Sequence, residues 1–144
     1  MSDRYVIDNE GIGGGPFLTM TIAESGGFSQ EDVDANATAC MISDNNEVSK
    51  GSAGDKLFGK VVWVSANVVP GTTRPDTCAV QARGVARFLT DSPAPLVNQM
   101  VELAGDGKVR KAAADADIAA GGHLMRGQVI AVDGDAGTCD VWLG

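Results

Sequence analysis

The residues in this sequence that could do chemistry are few and scattered. Gly11-Ile12-Gly13-Gly14-Gly15-Pro16 has the glycine density of a nucleotide-binding loop. A dinucleotide loop, however, needs glycine where Pro16 stands, with a strand before it and a helix after it. A phosphate loop needs Gly-Lys-Ser or Gly-Lys-Thr, and neither occurs. Asp133-Gly134-Asp135-Ala136-Gly137 has the look of a calcium loop, but the third oxygen donor and the distal Glu are missing; a hairpin turn accounts for it. His123, the single histidine, follows Gly121-Gly122. It makes no zinc site with Cys40, Cys78 and Cys139 unless the fold gathers them, and a Cys–His nucleophile pair needs the same gathering. No Gly-x-Ser-x-Gly elbow is present. Small trimeric β enzymes that act on nucleotides have this chain length, but they need a Gly-x-Ile-Asp segment and a downstream Tyr, and the only tyrosine here is Tyr5. No residue is therefore assigned to catalysis, to a cofactor or to a metal.

Two tryptophans, Trp63 and Trp142, fall in strand-like patterns. Core packing is the simpler reading for both. Trp142 shares its face with Thr138 and Asp140, which makes it a candidate half-exposed anchor for a protein contact.

The elements that would position these residues are best read from residues 77–88, TCAVQARGVARF. With period two, one face is Cys78, Val80, Ala82, Gly84, Ala86 and Phe88, all apolar or small. The other face, with Gln81, Arg83 and Arg87, is mostly polar. That alternation marks a strand with one face in a core and one face wet. Twelve residues would span roughly 40 Å, long for a strand, so a bend is expected at Gly84.

The chain has 144 residues, 44% hydrophobic, with 19 glycines and few aromatics. This suits one domain with tight turns between short strands. A net charge of −8 argues against nucleic acid and against an anionic membrane surface. The three cysteines show no paired spacing and read as small core residues, as in a protein made in a reducing cytoplasm. No signal peptide is expected at the N-terminus, and no apolar run approaches the roughly 20 residues that cross a bilayer.

In chain order, residues 1–34 form a Gly-rich arm, either a mobile tail or a segment ordered against a partner. Within it, residues 17–23 could form a strand, and Ser29-Gln30-Glu31-Asp32 resembles a capping box that opens one helical turn. Residues 35–144 form the β-rich domain. Strands are expected at 35–43, after an Asp44-Asn45-Asn46 turn at Val48, and at 57–65, the last either central or covered on both sides. Residues 67–76 form a loop. Residues 96–104 suit either a helix or half of a hairpin with 108–111 across Gly105-Asp106-Gly107; the hairpin is favoured. Residues 112–120, rich in Ala and Asp, are a loop or a short helix. Residues 126–133 and 138–143 form the closing hairpin. Six to eight short strands with Gly-rich turns make an all-β fold, a small β-barrel or β-sandwich with an extended N-terminal arm.

Several segments in this order carry a resemblance: Gly54-Asp55-Lys56-Leu57-Phe58-Gly59-Lys60-Val61-Val62, then Cys78-Ala79-Val80-Gln81-Ala82-Arg83-Gly84-Val85-Ala86, then Gly105-Asp106-Gly107-Lys108-Val109, Arg126-Gly127-Gln128-Val129-Ile130 and Val141-Trp142-Leu143-Gly144. Over residues 51–144 the chain resembles the capsid cement, or head decoration, proteins of tailed bacteriophages. The resemblance implies a small β-rich domain on the outer surface of an icosahedral head, in a virion assembled in a bacterial cytoplasm. The implied partner is the major capsid protein, whose neighbouring subunits it would clamp, with homotrimers near three-fold positions and no catalytic residues. Candidate contact residues are Tyr5, Ile12 and Phe17 of the arm, Gln81, Arg83 and Arg87 of the polar strand face, and Trp142. The alternative is a soluble oligomeric β-domain that binds a small ligand or acts as a small hydrolase.

Overall fold

The protein is described from a computed structural model covering residues 9–113 and 127–144; Tyr5, His123, Arg126 and residues 114–120 of the Ala/Asp-rich stretch lie outside the described residues. The fold is all-β. The strands are β1 (Leu18–Ile22), β2 (Ala39–Asp44), β3 (Glu47–Ser49), β4 (Gly59–Val64), β5 (Thr77–Gln81), β6 (Val85–Leu89), β7 (Val101–Gly105), β8 (Lys108–Lys111), β9 (Gln128–Asp133) and β10 (Thr138–Trp142). The described residues hold more strands than the six to eight expected, because residues 77–88 supply two and the short stretches at 18–22 and 47–49 both pair.

Five strands, in the order β1-β3-β2-β4-β5, close into a barrel. Its core is Met20, Ile22, Phe28, Cys40, Val48, Val61, Val64, Cys78 and Val80. The remaining strands form a sheet of order β6-β10-β9 and the hairpin β7-β8. Bridges from Met100 to Gln128 and from Thr90 to Val109 join their edges. Five strands thus surround a second core built on Phe88, Leu57, Leu103, Val109, Val129 and Val141. Complete burial of each such side chain stabilises by about 1.5–3 kcal/mol.

The local chemistry explains the elements. The one helix among the described residues, α1 (Gln30–Asp34), is capped as its sequence predicts: the Ser29 hydroxyl accepts from the Asp32 N–H and the Asp32 carboxylate accepts from the Ser29 N–H. The ambiguous stretch 96–104 resolves as the β7-β8 hairpin. Its turn is Asp106-Gly107, at φ 55° and 77°, the left-handed pair that two-residue hairpins require. Gly107 is also fixed by packing, since a Cβ there would stand 2.1 Å from the Ala37 carbonyl oxygen.

Residues 77–88 are not one strand. The chain breaks after Gln81 and turns at Gly84, φ 77°, so β5 belongs to the first barrel and β6 to the second sheet. The two apolar faces of one period-two pattern thereby serve two cores: Cys78 and Val80 the first, Ala86 and Phe88 the second. The boundary at residue 34 also moves. β1 closes the barrel, pairing antiparallel with β5 and parallel with β3, so residues 18–34 are not an arm separate from the domain. An eight-residue remainder, 1–8, lies outside the described residues.

Candidate interaction surface

The corner between β5 and β6 is the most elaborate place in the molecule. A strap, residues 9–17, crosses it. The Gly11 N–H donates to the Val85 carbonyl at 2.8 Å, and the Val85 N–H donates to the Ile12 carbonyl at 3.0 Å. Gly84 has no room for a side chain, because a Cβ there would meet the Ile12 carbonyl oxygen at 2.0 Å. The Gly-rich segment is therefore neither a nucleotide loop nor a free tail over residues 11–14: its glycines let two backbones touch. The C-terminus completes the corner, with Gly84 N–H donating to Gly144 at 3.2 Å and Leu143 N–H donating to Gly84 at 2.8 Å.

Gln81, expected on a wet face, is 3% exposed. The strap covers it, and its Nε2 donates to the carbonyls of Arg83 and Val85, at 2.9 and 2.8 Å. It holds the corner and is not a contact residue. Arg83 is exposed beside it.

Arg87 is also engaged. Its guanidinium grips Asp140 with two bonds, Nε to Oδ1 at 2.8 Å and a terminal nitrogen to Oδ2 at 3.1 Å, and it reaches Glu10 of the strap at 3.3 Å. Lys60, only 5% exposed, spends its ammonium on Glu10 at 3.2 Å, Asn36 at 2.9 Å and the Arg87 carbonyl at 2.7 Å. Burial lowers the Lys60 pKa, and Glu10 opposes that shift. Two basic side chains and two carboxylates, of which Glu10 is the most exposed, thus form a network that fastens the strap, the first barrel and the second sheet together. Asp140, expected on an exposed face, is 2% exposed because Arg87 lies across it.

What this fixed frame presents outward is apolar. Trp142 is 47% and Ile12 54% exposed. Trp142 pairs with Val85 on one side and Gln128 on the other, and Gln128 is bridged to Met100. Side chains at paired positions share a face, so Trp142 and Met100 lie in one row; the strap that carries Ile12 is hydrogen-bonded to Val85, the residue that pairs with Trp142. Ile130, Leu96 and Val97 are exposed on the adjoining β9 and 96–100 segment. On the other flank of the corner the strap ends in Phe17, 53% exposed, and Leu18, 46% exposed and paired with Val80. Of the residues singled out from sequence, Ile12, Phe17, Gln81, Arg83, Arg87 and Trp142 are gathered around one corner; Tyr5 lies outside the described residues.

Sequence reasoning missed Glu10, Lys60 and Asp140. A lysine between apolar neighbours in a predicted two-sided strand was the available signal for Lys60. Trp63 was read as core and is 53% exposed, because a register shift between Val61 and Trp63 turns it outward.

The thiols do not suit nucleophilic chemistry. All three cysteines are buried thiols outside any disulfide, and burial pushes Cys78 to about 11 and, with Asp140 adding to it, Cys139 to about 12, where little thiolate forms at neutral pH. Among the described residues no group of three or more His, Cys, Asp or Glu could hold a metal ion, and no helix is long and apolar enough to cross a membrane. No family model fits the chain, and no curated protein is significantly similar to it.

Proposed function

We propose that this protein is a capsid decoration protein, which binds the outer surface of a phage icosahedral head and braces neighbouring major capsid subunits. Its role is structural, not enzymatic. The observation that carries the reading is the cluster of exposed apolar side chains, Ile12, Phe17, Leu18, Met100 and Trp142, held around a corner that is fastened by backbone bonds and a buried ion network. A soluble domain gathers such side chains in one region chiefly where it contacts another protein. Rigid anchors lose little entropy on docking, and an aromatic such as Trp142 is the residue type that dominates interface energetics. The resemblance of the segment order to that of head decoration proteins is what suggests the major capsid protein as the partner.

On the capsid the protein acts as a homotrimer near three-fold positions. A domain of 14.8 kDa offers limited surface, and several linked copies hold a shell more tightly than one through multivalency.

The test is co-sedimentation with expanded heads that lack the protein. The wild-type chain pellets with the heads, and an Ile12→Asp/Trp142→Asp variant of unchanged melting temperature stays in the supernatant. A wild-type chain that fails to pellet contradicts the capsid role. A variant that pellets equally well moves the contact to another face.

A further inference from the structure

The outer wall of the first barrel carries a second aromatic surface, at the end of β5 away from the Gly84 corner. Its centre is Trp63, which the β4 bulge turns outward: Val61 pairs with Val80 and Trp63 with Ala79, one residue being skipped between them. A bulge re-aims the side chain that follows it and is frequent beside functional sites. Trp63 forms one wall of a shallow groove of about 490 Å³, with Ser29 and Gln30 at the start of α1, Ser65 just after β4, and Thr73 and Pro75 of the following loop as the others. Among the described residues no Asp, Glu, Lys or Arg lines it, although such residues make up 21% of the chain. The polar groups on its rim are neutral and keep bonding capacity. The Ser65 hydroxyl accepts from the Asn67 N–H at 3.0 Å and still has its own proton to donate. The Gln30 amide donates from Nε2 to Asp34 at 2.9 Å, and its carbonyl oxygen is the acceptor it has to offer. Thr73 adds a hydroxyl that can do either.

We propose that this groove is a binding site for a neutral glycan, with one hexopyranose ring stacked on the indole of Trp63 and its hydroxyls bonded to Gln30, Ser65 and Thr73. A pyranose has an apolar C–H face and a rim of hydroxyls, which matches an aromatic platform flanked by uncharged donors and acceptors. A nucleobase would also stack on Trp63, but its phosphates need cations, and neither the groove nor a chain of net charge −8 provides them. This inference is independent of the capsid reading: it concerns a different part of the barrel and a different class of ligand.

The chain has two tryptophans, so Trp142→Phe leaves Trp63 as the only indole reporter. Titration of that variant with maltohexaose, cellohexaose and chitohexaose gives a saturable fluorescence change with at least one of them, with a Kd on the order of 1 mM. Raising the salt to about 0.5 M leaves the affinity unchanged, because no charges are screened. Calorimetry with the same sugar shows binding lost in Trp63→Ala and several-fold weaker in Gln30→Ala. Both variants keep the wild-type melting temperature; should Trp63→Ala unfold, Gln30→Ala alone carries the comparison. No saturable response to any of the three sugars overturns the proposal, as does undiminished binding in the variants. A groove that ignores sugars while Trp63→Ala weakens sedimentation with heads belongs to the protein contact instead, and the glycan site falls.

Discussion

Asp140→Asn removes one carboxylate from the buried network and leaves the shape of the side chain in place. The wild-type cluster sets Lys60 and Arg87 against Glu10 and Asp140; the variant takes from Arg87 the carboxylate that it grips with two bonds. Removing one partner of a buried ion pair costs about 3–5 kcal/mol. Asn keeps one oxygen for Arg87, and the guanidinium retains Glu10 at 3.3 Å, so the lower end, about 3 kcal/mol, applies here. For a chain of this size each kcal/mol is worth about 2–4 °C, so the midpoint falls by about 6–12 °C. Urea unfolding reads the change as a lower midpoint concentration at unchanged slope. The paired variant Arg87→Met/Asp140→Leu recovers much of the loss, because an apolar pair carries no desolvation penalty. A loss below about 1 kcal/mol, the value of a surface ion pair, refutes the claim that this network fastens the strap to the two sheets.

The remaining expectations concern the corner, the strand and the thiols. Gly84→Ala forces a Cβ to within 2.0 Å of the Ile12 carbonyl oxygen at φ 77° and lowers stability by at least about 2 kcal/mol; a melting curve superimposable on wild type shows that the strap does not close over the corner. Val80→Asp places a charge at a fully buried site and prevents folding under ordinary conditions. Gln81→Asp, mild if that face were wet, now costs about 1–3 kcal/mol for the lost donor bonds to Arg83 and Val85; its urea midpoint against that of the wild type decides between the readings. Cys139 is raised from 9.0 to about 12 by burial and, secondarily, by Asp140. As pH rises from 9.0 toward about 12, the unfolded chain releases a proton that the folded chain retains, so the stability this thiol contributes is whole below pH 9.0 and declines across that window. The difference in unfolding free energy between wild type and Cys139→Ala shrinks accordingly; a difference that stays flat with pH contradicts the burial.

Much of the fold was legible because its turns are local. The capping box at Ser29, the Asn45-Asn46 turn and the Gly134–Gly137 connection act over a few residues, and the sequence alone places them. What was not legible depends on segments far apart in the chain. Gln81 reads as wet until the strap, some 70 residues upstream, lies over it. Lys60 is tolerable inside only because Glu10, Asn36 and Arg87 arrive from three other segments. The run 77–88 keeps its alternation across a break, since each half faces a different core, so periodicity alone could not reveal two strands in two sheets. Trp63 was misplaced by a one-residue slip, and such a slip exchanges the faces of everything beyond it. The interaction surface was half readable for the same reason: Trp142 and Ile12 are visible as residue types, but the pairing of β10 with β6, and of β6 with the strap, brings them together.

The most direct test of the decoration role is a density map, at side-chain resolution, of a head carrying the protein. The expected result is a homotrimer near a three-fold position, with Ile12, Phe17 and Trp142 buried against a major capsid subunit or a neighbouring copy. Copies that sit with the Gly84 corner turned to solvent, or heads on which no copy is found, would contradict the account.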